Sequence, residues 1–559
     1  MSSSLPAALF ERARSRPGAV ALRWKRRGIW HERTWAQYAA EIQRLAVAFL
    51  RSGLAPGRSV LLQGGNSVER LQAELAVLSA GSVALCLDAD ATAADLAALC
   101  TARRPDAMFA DSAAQVRAAQ RAAGAAELPA WLLRGPAAGL PGIAALGVLG
   151  GETPESDAAA YRPAAGGDAE VALVLLTTGN SAAPRAVSLS HATLLDGAER
   201  LRTATRAGER DILYSLLPTG WIGDRALATA LHVAAGSILA FPEEQATALA
   251  DLRECGPTVL LAPPRFWQIL ALDLRSRVGS RGLRAGLVRR GLGGGGSALA
   301  RALVARPLRD QAGLLHTRLA LCAGGFLDAR TAGFFRALGT PLRDLYLVTE
   351  AGGAVALADG VGALRLLDGV QAAERGGEIV LALPDGELAT GDAGRLDGAA
   401  LSLAGRLDAR LRLAPDAQVS VSTLERALAA SPFVRHAVLA GGDGRSLTAL
   451  IELEDAAIAA WSDARRAGLA GHAEFVRSDA VRELLAQAVA QANAVTGDGP
   501  PIGAFEILDP PLEAAAGELT RLRTVRASVV NERRAEALSG GDLAQWKRKD
   551  EARLVSADP

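Results

Sequence analysis

Apolar residues recur at helical spacing over positions 5–13 and 35–51, which predicts two amphipathic helices. SVLLQGGN, from Ser59, then reads as a short apolar strand ending in a glycine turn. Positions 69–80 have a helical pattern, and SVALCLD and PDAMFAD supply two further strands. Strands alternating with helices predict a parallel sheet covered on both faces. Residues 135–168 are rich in Gly, Pro and Ala and predict a loop or spacer. The strand EVALVLL follows and stops at a polar loop of small residues.

A second β/α series is expected from Asp211 to about Ala404. Its strands lie near ILYSLLP, SILAFP, TVLLAPP, RLALCAG and DLYLVTE, and the run Gly293 to Gly296 predicts a mobile segment. After Gly405 the segments become shorter and more polar. Strands near AVLAGG and LTALIEL and Ala-rich helices at 457–496 predict a small α+β domain. The expected fold is α/β: a large N-terminal domain of layered β-sheets flanked by helices over 1–404, a hinge at 405–409, and a small mobile domain over 410–540. A charged tail over 541–559 is expected to fray. No internal repeat of fixed period is visible.

Composition narrows the function classes. The 559 residues are 50% hydrophobic and 22% charged, with a formal net charge of +1. No global field therefore favours nucleic acid or an anionic membrane. The lysines are Lys25, Lys547 and Lys549, so any lysine chemistry must draw on those three. Cys86, Cys100, Cys255 and Cys322 form no C-x-x-C pair and sit at no zinc-ligand spacing. They read as small core residues of a reducing compartment. The first residues hold no uninterrupted apolar stretch of signal-peptide length. Two charge-free stretches, 135–151 and 226–242, are short for a membrane span and read as a spacer and as buried helix and strand. A cytoplasmic protein with no transmembrane segment is expected. Peripheral contact with a membrane surface stays open, and so does oligomeric state.

Candidate chemistry begins at LLTTGNSAAPRAVSLSH, positions 175–191. A buried strand runs into small and hydroxyl residues and then one cation. Small residues let backbone N–H groups approach an anion, hydroxyls add donors, and a basic side chain neutralises charge. A polar turn after a core strand would look much the same. The G-x-x-x-x-G-K-[ST] loop is absent.

The segment resembles the phosphate loop of AMP-forming acyl-CoA synthetases, T-[ST]-G-[ST]-[ST]-G-x-P-K-G followed by Ser-His. Thr177, Thr178, Gly179, Ser181, Pro184, Ser190 and His191 match. Asn180 stands at a hydroxyl position, Ala182 and Ala186 at glycines, and Arg185 at the lysine. Arginine holds phosphate through a planar fork rather than a point charge. Further stretches resemble the same family in the same order. YLVTE, Tyr346 to Glu350, resembles Y-G-x-T-E, with Leu347 at the glycine. The resemblance implies that Tyr346, Thr349 and Glu350 close on the adenine, the α-phosphate and a metal. Glu350 and Thr177 would supply the protein oxygens to Mg²⁺. Cys322 to Gly325, with Gly324 and Gly325, resembles the turn under the adenine. Thr390, Gly391 and Asp392 resemble T-G-D-x-G, whose carboxylate accepts from the ribose hydroxyls. Gly405-Arg406 resembles the opening of the hinge motif G-R-x-K-D, Arg406 reaching ribose or phosphates, with Asp408-Ala409 at the hinge pair.

LPTGWIGDR, from Leu217, and TVLLAPPRFW, from Thr258, look most similar to the long-chain fatty acyl branch. Trp221 would line an acyl tunnel, with His191 on the substrate side. Finally GELTRLRTVR, from Gly517, resembles G-E-L-T-P-T-L-K-x-(R/K)-R. Its lysine bridges acyl carboxylate and α-phosphate, and Thr524 stands at that position with Arg523 and Arg526 beside it.

The resemblance implies ATP-dependent activation of a carboxylic acid, expected to be a fatty acid, with Mg²⁺ and transfer to CoA. The alternative is a relative that binds nucleotide or acyl ligand as a regulatory or partner protein; a third reading performs one half-reaction. The nucleotide-facing set is Thr177, Thr178, Gly179, Asn180, Ser181, Gly324, Gly325, Tyr346, Asp392 and Arg406. The catalytic set is Glu350, Thr349, Arg185 and Thr524.

Overall fold

The computed structural model describes residues 4–534 apart from 126, 135–142, 152, 164–169, 178–183, 279–297, 361, 408–409, 415–416, 442–445, 495–499, 515 and 521. The Gly293 to Gly296 run, the Asp408-Ala409 pair and the 541–559 tail lie outside the described residues.

The alternating pattern at the start of the chain builds a seven-stranded sheet. Its order is Ile143–Ala145, Ala130–Leu132, Ala107–Ala110, Ser59–Gln63, Val83–Leu87, Val171–Leu176 and Ala186–Ser190. All pairs are parallel except the last, where Val171–Leu176 turns back antiparallel onto Ala186–Ser190. The central strands are apolar on both faces because helices cover both. Helix Trp35–Arg51 starts at a reciprocal cap between Thr34 and Gln37.

The second, thirteen-stranded sheet starts at the edge strand Ile29–Thr34, antiparallel to Val20–Arg26, and is parallel from there through Ile238–Phe241, Ile212–Tyr214, Val259–Ala262, Leu319–Cys322 and Leu342–Val348. It continues antiparallel through Gly353–Ala358, Leu364–Leu366, Ala400–Arg406, Gly386–Asp397, Glu378–Leu383 and Gln371–Arg375. Leu62, Leu173, Leu213, Leu239 and Leu319, drawn from both sheets, share one apolar cluster. The charge-free stretch after Asp224 lies inside it, as the wholly buried π-helix Arg225–Leu231, the helix His232–Ala235 and the strand Ile238–Phe241.

Two expectations change. The β/α series ends at strand Leu342–Val348; strands from Gly353 to Arg406 are antiparallel, joined by turns at Gly376-Gly377, Asp385-Gly386 and Asp397-Gly398. Those glycine turns are hairpin signals, and hairpins need no crossover helix. The 135–168 spacer carries the edge strand Ile143–Ala145 and short helices Leu146–Gly151 and Glu155–Ala160. The Ala-rich segment at 457–496 forms helices as expected, Asp455–Arg465, His472–Arg477 and Asp479–Asn493, separated where Arg466, Gly468 and Gly471 take positive φ.

The chain beyond Arg406 builds a smaller lobe. Strands Val434–Gly441, Leu447–Leu453 and Ile502–Ile507 form a three-stranded sheet. Leu428, Ile451, Phe475 and Leu485 give the lobe its own core.

Candidate active site

The buried strand Val171–Leu176 delivers Thr177 to one end of its sheet. The neck of the following loop closes between Thr177 and Arg185. Thr177 N–H donates to the Arg185 carbonyl at 2.8 Å, and Arg185 N–H donates to Thr177 Oγ1 at 3.1 Å. Thr178, Gly179, Asn180, Ser181 and Ala182 lie outside the described residues.

Strand Leu342–Val348 delivers Tyr346 and then the turn with Thr349 and Glu350. Helix His191–Thr205 presses on this turn from behind. A Cβ on Gly352, whose φ is +74°, would stand 2.1 Å from the Thr193 carbonyl oxygen, and one on Gly197 would stand 2.3 Å from the Gly352 oxygen. Glycine at both positions therefore sets the approach. Arg200, on the same helix, donates to the Ala351 carbonyl at 2.7 Å and the Ala354 carbonyl at 3.1 Å. The turn so fixed holds the Glu350 carboxylate 3.8 Å from the Arg185 guanidinium.

A second group of contacts lies around Asp392. The Tyr346 hydroxyl donates to Asp392 Oδ2 at 2.5 Å. Arg406, cross-strand partner of Asp392, donates to the Thr390 carbonyl at 2.9 Å and lies 3.4 Å from Asp392 Oδ1. Burial, reinforced by the Asp392 charge, holds the Tyr346 phenol well above its ordinary range, so it stays a donor. Arg185 with Glu350, and Tyr346 with Asp392 and Arg406, thus belong to one neighbourhood joined by strand Leu342–Val348 and its turn. This set offers two guanidinium groups, two carboxylates, a phenol and the Thr177 hydroxyl, which suits a phosphorylated sugar.

Gly324 and Gly325 follow strand Leu319–Cys322. The Trp221 indole is buried, with a Cβ on Gly223 falling 2.3 Å from its ring and one on Gly324 falling 3.2 Å away. His191 sits at the first turn of its helix, and its Nδ1 accepts from Leu5 N–H at 3.4 Å, so the ring lies against the N-terminal helix Leu5–Ser15. Thr524 lies in a tight turn of the small lobe. Its Oγ1 is 2.6 Å from Thr520 Oγ1, and its carbonyl accepts from Thr520 N–H at 2.7 Å.

Sequence reasoning missed the contacts that join the lobes. Arg265 pairs with Glu454, Arg426 stacks over Phe326 at 4.3 Å, and Arg523 lies 3.8 Å from Asp90. No motif signals such pairs, because each partner is ordinary in its own segment. It also missed a buried ionic network behind Trp221, in which Glu74 pairs with Arg70 at 2.8 Å and with Arg225, while Arg225 also pairs with Asp224. The signal was there: an Asp-Arg pair opening an otherwise charge-free stretch. Burial raises the Glu74 pKa, but Arg225 and Arg70 outweigh it and leave the carboxyl lowered.

Among the described residues, no group of three or more His, Cys, Asp or Glu side chains can hold a metal ion, and no helix is long and apolar enough to cross a membrane.

Residues 9–395 match the family described as AMP-binding enzyme. Long-chain-fatty-acid--CoA ligase FadD15 of Mycobacterium bovis is 25% identical, with 95% of each chain covered. The adenylation domain of a carboxylate reductase from Mycobacterium chelonae superposes with a TM-score of 0.75 at 18% identity, covering 96% of this chain and 90% of that one. ATP-bound MatB from Rhodopseudomonas palustris superposes at 0.70 and 19% identity, covering 96% and 100%.

Proposed function

We infer the reaction from one premise: this chain belongs to the AMP-binding enzyme family. It is an acid–thiol ligase that uses ATP to activate a carboxylic acid and passes the acyl group to CoA, like the fatty acid–CoA ligases it is similar to. In the first half-reaction a carboxylate oxygen attacks the α-phosphorus of ATP. An O–P bond forms, pyrophosphate leaves, and an acyl-adenylate results. In the second the CoA thiol attacks the acyl carbon, gives up its proton, and AMP leaves. No protein nucleophile is required; positioning and charge neutralisation carry the rate.

The residue roles are our proposal. Asp392, held by Tyr346 and Arg406, accepts from the ribose hydroxyls. The 177–185 loop and Arg185 hold the phosphates. Glu350, with Thr177, offers oxygens to Mg²⁺. One carboxylate is too little for a cage built of protein alone, but suits a Mg²⁺ that arrives with phosphate oxygens. When bound, that ion neutralises charge on the leaving pyrophosphate. Gly324 and Gly325 lie under the adenine, and Trp221 borders the acid. We place the small lobe at 410–540, turning about 405–409 between half-reactions. A fatty acid is the proposed substrate and the cytoplasm the proposed location, the latter on four buried free cysteines.

The observation that supports the reading is the convergence of Arg185 on Glu350 beside Tyr346, Asp392 and Arg406. Acid-dependent pyrophosphate release from ATP, over a panel of fatty acids, tests it. Release with at least one acid is expected. One observation favours a second reading: the Thr520–Thr524 hydroxyl pair stands where the family places a cation. Binding of ATP or AMP with no release for any acid would establish that reading, a nucleotide-binding relative.

A further inference from the structure

The turn that carries Thr524 also carries a residue that crosses between lobes. Leu519 and Val525 pair in an antiparallel bridge at its base, and both pack in the small lobe's apolar cluster with Val438, Leu450 and Val530. The tip is fixed by the Thr520–Thr524 bonds and by His436, whose Nε2 lies 2.9 Å from the Arg523 carbonyl oxygen while its Nδ1 lies 2.8 Å from Glu452. Arg523 takes φ +58°, which turns the chain sharply at the tip. Leu522, beside it, leaves the small lobe's core and joins the large lobe's cluster with Trp221, Ile222 and Ala323. It is buried, 5% exposed.

Its seat is the space left by Gly324. A Cβ at Gly324 would fall 2.6 Å from Leu522 Cδ1 and 3.2 Å from Trp221 Cζ2. Leu522 and the Trp221 indole therefore meet the same bare face of the turn, one from each lobe. Trp221 cannot retreat easily, because Gly223 backs its ring. Leu522, a branched four-carbon group, thus takes up the room beside Trp221 that Gly324 leaves bare.

We propose that Leu522 is a specificity-determining residue of acid activation: docked against Gly324 and Trp221, it limits the bulk an acid can carry near its carboxyl group. Straight alkyl acids pass, and acids branched or aromatic at the first carbons are rejected. The inference rests on the ligase reading above and adds a size filter supplied by the small lobe. A hydrophobic pocket discriminates about tenfold or more for each added or missing carbon, so truncating Leu522 changes selectivity rather than chemistry.

The test is a size series at this position, Leu522→Ala, Leu522→Val and Leu522→Phe, in the full chain. Two readouts are taken with straight-chain and 2-methyl or aryl acids. One is kcat/KM for acid-dependent pyrophosphate release. The other is the melting-temperature shift produced by acyl-sulfamoyl-adenosines carrying the same acyl groups, which needs no turnover. The ratio of bulky to straight acids is expected to rise at least about tenfold in Leu522→Ala, less in Leu522→Val, and to fall in Leu522→Phe, with the KM for ATP unchanged. A ratio that stays constant across folded members of the series overturns the proposal. Should Leu522→Ala not fold, Leu522→Val and Leu522→Phe decide it by opposite signs. If no acid is turned over yet the analogues bind with the expected size order, the ligase reading fails and the filter stands.

Discussion

Arg185, which leads into strand Ala186–Ser190 of the seven-stranded sheet, stands 3.8 Å from Glu350, which follows strand Leu342–Val348 of the thirteen-stranded one. The pair ties the hydroxyl loop to the turn that Arg200 and the glycine contact hold in place. With Arg185 largely exposed, the pair adds little stability. In the proposed roles, the pair sets two opposite charges where phosphates and a cation would meet. Arg185→Ala is therefore expected to lower acid-dependent pyrophosphate release by on the order of a hundred- to a thousandfold, with the melting temperature unchanged. Glu350→Gln should weaken the dependence on Mg²⁺ concentration. A loss of melting temperature in step with activity would argue for a structural role instead.

Asp392 accepts from the Tyr346 hydroxyl and lies beside Arg406, so its carboxylate is oriented before any ligand arrives. Asp392→Asn keeps the shape and removes the charge. The KM for ATP should rise about ten- to a hundredfold, the worth of a hydrogen bond to a charged group, with less effect on kcat. Tyr346→Phe should give a smaller rise, because Arg406 still holds Asp392. Steady-state kinetics in ATP at saturating acid separates the two.

Where each contact lies in the chain decides how legible it was. The apolar strand before Thr177 was readable because burial on both faces writes a continuous apolar run. Tyr346, Asp392 and Arg406 were readable as a group because their spacing resembled ordered motifs. The antiparallel strands after Gly353 were misread as a continuing β/α series, although the turns at Asp385-Gly386 and Asp397-Gly398 carried hairpin signals. His191 resembled a site residue, yet its Nδ1 faces Leu5. That pairing is long-range and leaves no local trace. Arg200, Gly197 and Gly352 act through backbone approach across the fold, which no single-segment pattern encodes.

Thr524 offers a hydroxyl already engaged by Thr520 where the resemblance places a cation. A threonine cannot neutralise charge developing on the α-phosphate. Thr524→Lys is expected to raise acid-dependent pyrophosphate release by on the order of a hundredfold. With Thr524 replaced the hydroxyl pair no longer exists, so Thr520→Ala in the same background should not reduce the gain. Unchanged release in Thr524→Lys would mean that the charge is already supplied from another position, for which Arg185 is the candidate.

The small lobe carries a carboxyl with a pH signature. Glu425, on helix Ser422–Ala429, accepts from Leu439 N–H at 3.0 Å. Burial outweighs that bond and pushes its pKa from the ordinary 4.5 up to about 7. A folded-state pKa above the unfolded value means that the folded chain binds the extra proton between those limits. The contribution is present in full below pH 4.5 and is lost as pH rises through about 7, at up to about 1.4 kcal/mol per pH unit. Denaturant midpoints of the wild type and Glu425→Gln, compared across pH 4.5 to 8, should diverge with rising pH, the variant holding its stability. Parallel curves would refute the assignment.

The network behind Trp221 has the opposite design, charges buried together rather than alone. Arg225 sits 3% exposed between Glu74 and Asp224, both fully buried, and Thr229 donates to Glu74 at 2.9 Å. Removing one partner of such a cluster leaves a carboxylate without its countercharge, and that typically costs about 3–5 kcal/mol. Arg225→Met keeps the volume and the apolar stem but leaves Glu74 with Arg70 alone and Asp224 without its ion-pair partner. Its urea midpoint should fall accordingly, with an unchanged slope. Neutralising Asp224 as well, in Arg225→Met with Asp224→Asn, should recover part of the loss, because the one stranded carboxylate is then gone while Glu74 keeps Arg70. A double variant no more stable than the single one would show that Arg225 acts through its packing and not through its charge.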